Sequence, residues 1–89
     1  MPPPYTYHPR VLEELLLFGV RPLPTTPPEK AKEVVNDLYR YELRRLSKRL
    51  RRKEIPNAGY SDRVVELRKK YFLLSIRLEL WTRPANADG

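Results

Sequence analysis

The sequence predicts an all-α protein, a short N-terminal helix packed on a long antiparallel α-hairpin to make a three-helix bundle. Three observations lead there. Apolar residues recur at helical spacing through 26–53, and a second seam with alternating steps of three and four runs from Val64 to Trp81. Breaks rich in proline, asparagine and glycine at 21–28 and 55–60 divide the chain into three lengths. With 89 residues there is one small domain, expected over 9–83, because a chain of this size buries only about 60–65% of its unfolded surface.

Residues 1–8 hold three prolines and two tyrosines, which predicts an extended arm without hydrogen-bonded structure of its own. Pro9 then suits a first helical position, Val11, Leu12, Leu15, Leu16 and Phe18 form an apolar surface, and Gly19 fits the left-handed position that closes a helix. Four prolines in the eight residues 21–28 make a stiff connector.

The second helix is expected to start at Thr26. Thr26 and Glu29 have the spacing of a capping box, with Pro27 at the first helical position. Ala31, Val35, Leu38, Tyr39, Leu43, Leu46 and Leu50 share one face, and Arg40, Arg44, Lys48, Arg51 and Arg52 fall on the opposite one. Glu29, Glu33 and Asp37 precede the basic run, an order that complements the helix dipole at both ends.

Residues 55–60 read as a turn, with Ser61 or Asp62 capping the third helix. Its seam is Val64, Leu67, Tyr71, Leu74, Leu78 and Trp81. The stretch 74–81 also alternates as a half-buried strand would, and such a strand could pair only with the Tyr5–Tyr7 arm or another chain. The unbroken seam favours helix. Pro84 ends the structure, and 84–89 are expected to fray.

Composition narrows the function classes. The net charge of +7 favours polyanionic surfaces: an acidic protein, nucleic acid or anionic lipid. No cysteine is present and His8 is the one histidine, so a protein zinc site is not expected, and a reducing compartment such as the cytoplasm fits. No stretch approaches the ~20 apolar residues that span a bilayer, and the first residues resemble neither a secretory signal nor an Arg- and Ser-rich transit peptide. Three glycines cannot form a phosphate-cradling loop, and no nucleophile, base and orienting carboxylate are evident, so no enzyme, cofactor or small-molecule substrate is expected.

Two surfaces remain as candidate sites. Eight of the fourteen residues 40–53 are Lys or Arg, and the row Arg40, Arg44, Lys48, Arg51 and Arg52 would meet an acidic protein or, through counterion release, DNA or RNA. The plain alternative is a solvated outer face. The second surface is apolar on more than one side: Phe72, Leu73, Ile76, Leu78, Leu80 and Trp81 exceed what one neighbouring helix covers, which points to a homo-oligomer or a bound partner unless the first helix, through Leu15–Phe18, covers the second side. Tyr39, Tyr71 and Trp81 lie on apolar seams and are read as packing residues rather than base-stacking ones. Glu42 breaks the apolar face of the second helix. An ion pair with Arg45 or Arg49 would compensate it, or its side chain would reach to solvent.

Leu38-Tyr39-Arg40, followed by Tyr41-Glu42-Leu43-Arg44, resembles the signature of the LYR-motif family of small, basic, three-helix proteins. The resemblance implies a role in assembling mitochondrial respiratory complexes or iron–sulfur proteins, commonly with an acyl carrier protein, in the mitochondrial matrix. Leu38, Tyr39 and Arg40 would be its motif and Phe72 its downstream phenylalanine.

Overall fold

A computed structural model describes residues 5–83, so the expected fraying of 84–89 and the first four residues of the arm lie outside the described residues. The chain is mostly helical, with three α-helices and a two-stranded antiparallel sheet, in the order β1 (Thr6–Tyr7), α1 (Pro9–Leu17), α2 (Pro28–Arg51), α3 (Asn57–Lys70), two 3₁₀ turns (Phe72–Ser75 and Leu78–Leu80) and β2 (Thr82–Arg83).

The arm is the first correction. Tyr7 sits opposite Thr82 and Thr6 opposite Arg83, and the His8 amide donates to the Trp81 carbonyl at 3.0 Å. The Tyr5 amide donates to the Pro24 carbonyl, and the Tyr7 hydroxyl to the Thr26 carbonyl at 2.6 Å. Tyr7 is buried, so pairing the arm satisfies backbone groups that its burial removes from water.

α1 runs as its sequence signals require. Pro9 opens it, and Gly19 at φ 75° closes it. The Val20 amide reaches the Leu15 carbonyl and the Gly19 amide the Leu16 carbonyl, both at 2.9 Å, a Schellman closure. Val11 and Leu15 face the core.

α2 starts one residue later than its capping box suggests, with its N-cap at Pro27 instead of Thr26. Pro27 precedes Pro28, and the ring of a following proline holds a residue extended. Pro27 accordingly has ψ 141° and is the N-cap, while Pro28 opens the helix. The Thr26 hydroxyl is used elsewhere: it accepts the Leu23 amide at 2.9 Å and closes the preceding turn.

The far end of α2 repeats the Schellman closure with a different residue. The Glu54 amide bonds to the Arg49 carbonyl and the Lys53 amide to the Leu50 carbonyl, with Lys53 at φ 60°. Residues 57–60 are then helical rather than a turn. Pro56, extended at ψ 148°, is the N-cap, and the Gly59 amide bonds to its carbonyl at 3.0 Å, so neither Ser61 nor Asp62 is needed as a cap.

The third helix is the largest correction. It stops at Lys70, where Tyr71 takes φ −99° and ψ 32°. Tyr71, Leu73 and Trp81 are all buried. Residues 71 and 73 point about 200° apart on a helix, so burying both in one core requires the backbone to leave the α-helical path, here into 3₁₀ turns. The strand pattern of 74–81 is not realised there either; the strand begins at Thr82 and pairs with the arm.

The core lies at one end of the molecule. Tyr7, Val11, Leu15, Ala31, Val35, Tyr71, Leu73 and Trp81 form its buried cluster, with Leu12, Phe18, Leu38 and Tyr39 packed against it. Phe18 stacks on Tyr71 with ring centroids 4.6 Å apart, and Tyr39 tilts onto the same ring at 5.2 Å. Trp81 is fully enclosed, and its indole N–H donates to the Ile76 carbonyl at 3.1 Å. Beyond Tyr39 the second half of α2 pairs with α3, which contributes no buried residue. Ile55, in the connection between them, is the one buried residue from 40 to 70.

Candidate functional site

The geometry of α2 separates its cations into two groups. Arg40, Arg44, Lys48, Arg51 and the C-cap residue Arg52 are exposed. Among the described residues the side-chain ion pairs are Lys69 with Glu66, Lys70 with Glu42 and Arg77 with Glu79, and none involves this row. Five positive groups on four successive turns therefore have no ion-pair partner among the described residues, and the basic end of the helix coincides with its negative dipole end.

The second group lines a groove of about 670 Å³ between α2 and α3. Arg45, Leu46 and Arg49 border it from α2, and Arg63, Glu66, Leu67 and Lys70 from α3, with Gly59 and Asp62 at one end and Glu42 at the other. The Arg45 guanidinium lies 5.9 Å from the centre of the Tyr41 ring, within cation–π range. Leu46 and Leu67 are only partly covered. The two helices meet through the Ser47 and Tyr60 hydroxyls at 3.3 Å and through Glu42.

Glu42 takes a partner that local spacing did not suggest. Lys70 donates to both of its carboxylate oxygens, at 3.0 and 3.2 Å, and the Tyr71 hydroxyl donates to one of them. Arg45 contributes charge at longer range, and Arg49 forms no ion pair among the described residues. Partial burial works to raise the Glu42 carboxyl pKa, but the hydrogen bonds from Tyr71 and Lys70 and the positive charge of Lys70 outweigh it and hold it below its ordinary value. Burial first, then the hydrogen bond to Glu42, pushes the Tyr71 phenol well above the usual tyrosine range.

The apolar group is divided by the fold. Leu73 and Trp81 are fully buried, and Ile76 and Leu78 pack against the core. Phe72 and Leu80 stay more than half exposed. Of the two covers the sequence left open for this surface, the first helix lies against part of it, with Leu15 buried and Phe18 on the Tyr71 ring. Leu38 and Tyr39 pack against the core while Arg40 points outward. A smaller recess of about 300 Å³ lies beside them, bordered by Tyr39, Arg68, Tyr71, Leu74 and Ser75.

The chain matches no protein-family model, and neither curated proteins nor solved structures give a significant match. Among the described residues no helix is long and apolar enough to cross a membrane, and no three His, Asp or Glu side chains are grouped closely enough to hold a metal ion.

Local spacing makes Arg45 and Arg49 candidate partners for Glu42 and does not pair them with Arg63 across the connection, so the groove is not evident from it. The sequence does carry a signal: Arg45 stands beside Leu46 on the second helix and Arg63 one turn before Leu67 on the third, a cation next to an apolar residue on each.

Proposed function

We propose that the protein is a non-enzymatic interaction or assembly module whose basic α2 surface contacts an acidic partner protein. The observation that carries this reading is the unneutralised row Arg40, Arg44, Lys48, Arg51 and Arg52, held on one rigid helix at a net charge of +7. A row of this kind raises the encounter rate with an oppositely charged surface and fixes the orientation of docking. On this reading the helices form a three-helix bundle around an α-hairpin, and the row lies along one edge of it. The Leu38-Tyr39-Arg40 stretch supports the same class of function through its LYR-family resemblance, which would set the protein in the mitochondrial matrix; without it, the cytoplasm or another reducing compartment fits. Self-association would use Phe72 and Leu80, the exposed remainder of the apolar group.

A nucleic-acid partner is the second reading, favoured by the same row, since phosphates need only spaced cations. Affinity capture with and without nuclease separates the two. Under the proposed reading, one defined partner survives digestion and is lost when Arg40, Arg44, Lys48 and Arg51 are changed to Glu. Tight binding of single- or double-stranded oligonucleotides at physiological salt, with no nuclease-resistant partner, overturns it.

A further inference from the structure

The distal half of the α2–α3 pair has an incomplete core. Two helices packed side by side cover one stripe of each other, and a third layer is what normally closes the remaining apolar surface. At the proximal end α1 and the 3₁₀ turns supply that layer, and eight residues are buried there as one cluster. At the distal end, among the described residues, Ile55 of the connection is enclosed but no third helix or turn lies over the α2–α3 pair. Leu46 and Leu67 remain partly exposed on the groove, and α3 buries no residue.

We infer that this groove is the docking site for an acidic amphipathic helix of the partner protein, an inference that rests on the interaction-module reading above. Leu46 and Leu67, one from each wall, offer apolar contact at the groove floor to leucine- or methionine-type anchors that such a helix presents at i, i+3 or i+4 and i+7. The rim selects the charge. Arg45, Arg49 and Arg63 border the groove, and none is neutralised by an ion pair among the described residues.

Charge also decides between occupants. A second copy of the chain would bring a further net charge of +7 against these guanidinium groups, and like charges brought together disfavour association. A phosphate backbone carries one sign of charge and has no cation to set against the Asp62 carboxylate on the same rim. A protein helix can set Glu or Asp against the three arginines and one Lys or Arg against Asp62. The groove therefore favours a mixed-charge, net-acidic helix over a uniformly anionic polymer.

The test uses the full chain and a synthetic 18-residue, net-acidic peptide with Leu at i, i+3, i+4 and i+7 positions, Glu at most others and one Lys placed to meet Asp62. Amide NMR shifts are followed, with fluorescence anisotropy for affinity. The expected result is saturable binding with shifts centred on Leu46, Gly59 and Leu67. It falls at least tenfold in the triple variant Arg45→Glu, Arg49→Glu, Arg63→Glu and severalfold in the corresponding Gln variant, which serves if the Glu form does not fold. The outer-row variant of Arg40, Arg44, Lys48 and Arg51 weakens binding less, and that loss fades in salt. Equal binding of leucine-free polyglutamate, shifts confined to the outer row, or no saturation at millimolar peptide overturns the groove assignment and leaves the interaction-module reading to its own capture experiment. A single-stranded oligonucleotide that displaces the peptide at physiological salt overturns both.

Discussion

The Tyr71 hydroxyl donates to the Glu42 carboxylate across 29 residues of sequence, at the point where α2 passes the end of α3. The contact joins the aromatic cluster of Phe18, Tyr39 and Tyr71 to the charged groove, because Lys70 holds the same carboxylate from the groove side.

Tyr71→Phe removes that donor while keeping the ring in its stack. Loss of a hydrogen bond to a charged group costs roughly 1.5–3 kcal/mol, so chemical denaturation at neutral pH should show destabilisation of that order. No change in the midpoint would mean that Lys70 alone satisfies Glu42.

Acid should expose the Glu42 contribution. Its folded pKa lies below the ordinary carboxylate value, so the stability it adds is present above the unfolded pKa and is lost as pH falls through the folded one. Glu42→Gln should be less stable than the parent at pH 7, and the two should converge as pH falls through the depressed folded value. Tyr71 has the opposite sign. Its raised pKa gives stability that is complete below about pH 10 and declines above it, so Tyr71→Phe should flatten the alkaline limb of the stability curve. Thermal melts across pH 2–11 check both limbs.

Two Schellman closures invite opposite substitutions. Lys53 takes the left-handed conformation at φ 60°, where a side chain costs roughly 1–2 kcal/mol. Lys53→Gly should therefore stabilise by about 0.5–1 kcal/mol after the greater unfolded-state entropy of glycine is deducted. Gly19→Ala should destabilise by about 1 kcal/mol although no atom lies within 4 Å of the added Cβ, because the strain is in the backbone. A common sign for the two changes would contradict this assignment.

Trp81 and Phe72 lie in one apolar stretch and should respond very differently. Trp81→Ala opens a cavity in the core and should cost about 3–5 kcal/mol, enough to unfold much of so small a domain. Phe72→Ala removes a side chain that is 57% exposed and should fall within about 0.5 kcal/mol of the parent. Native Trp81 fluorescence should be blue-shifted and poorly quenched by iodide.

Thr26→Ala separates turn closure from helix capping. The hydroxyl accepts the Leu23 amide in an exposed turn, so the loss should be at most about 1 kcal/mol, with the exchange protection of the Lys30 and Ala31 amides unchanged. Those amides bond to the Pro27 carbonyl. Their selective loss of protection would restore Thr26 as the cap.

Local signals were legible where one residue decides. Pro9 and Gly19 bound the first helix because ring and left-handed constraints act within a single turn. The start of the second was misplaced because the second proline of Pro27-Pro28 governs the first. The end of the third was hidden for a non-local reason: a heptad seam and a strand pattern both fit 74–81, and burial of Leu73 and Trp81 around α1 and α2 selected neither. The outward direction of the basic row followed from periodicity alone. The groove required knowing where α2 crosses α3, and the Glu42 partners lie 28 and 29 residues away.

The pairing of Thr6 with Arg83 and Tyr7 with Thr82 has a mechanical consequence. The strands are antiparallel and the chain leaves both at the same end, so tension applied through the two ends loads their hydrogen bonds one after another instead of all at once. Such a junction peels like a zip. Under pulling, β1 and β2 should part at low force and draw Trp81 out behind them, while the α2–α3 pair, off the direct line between the ends, is still folded.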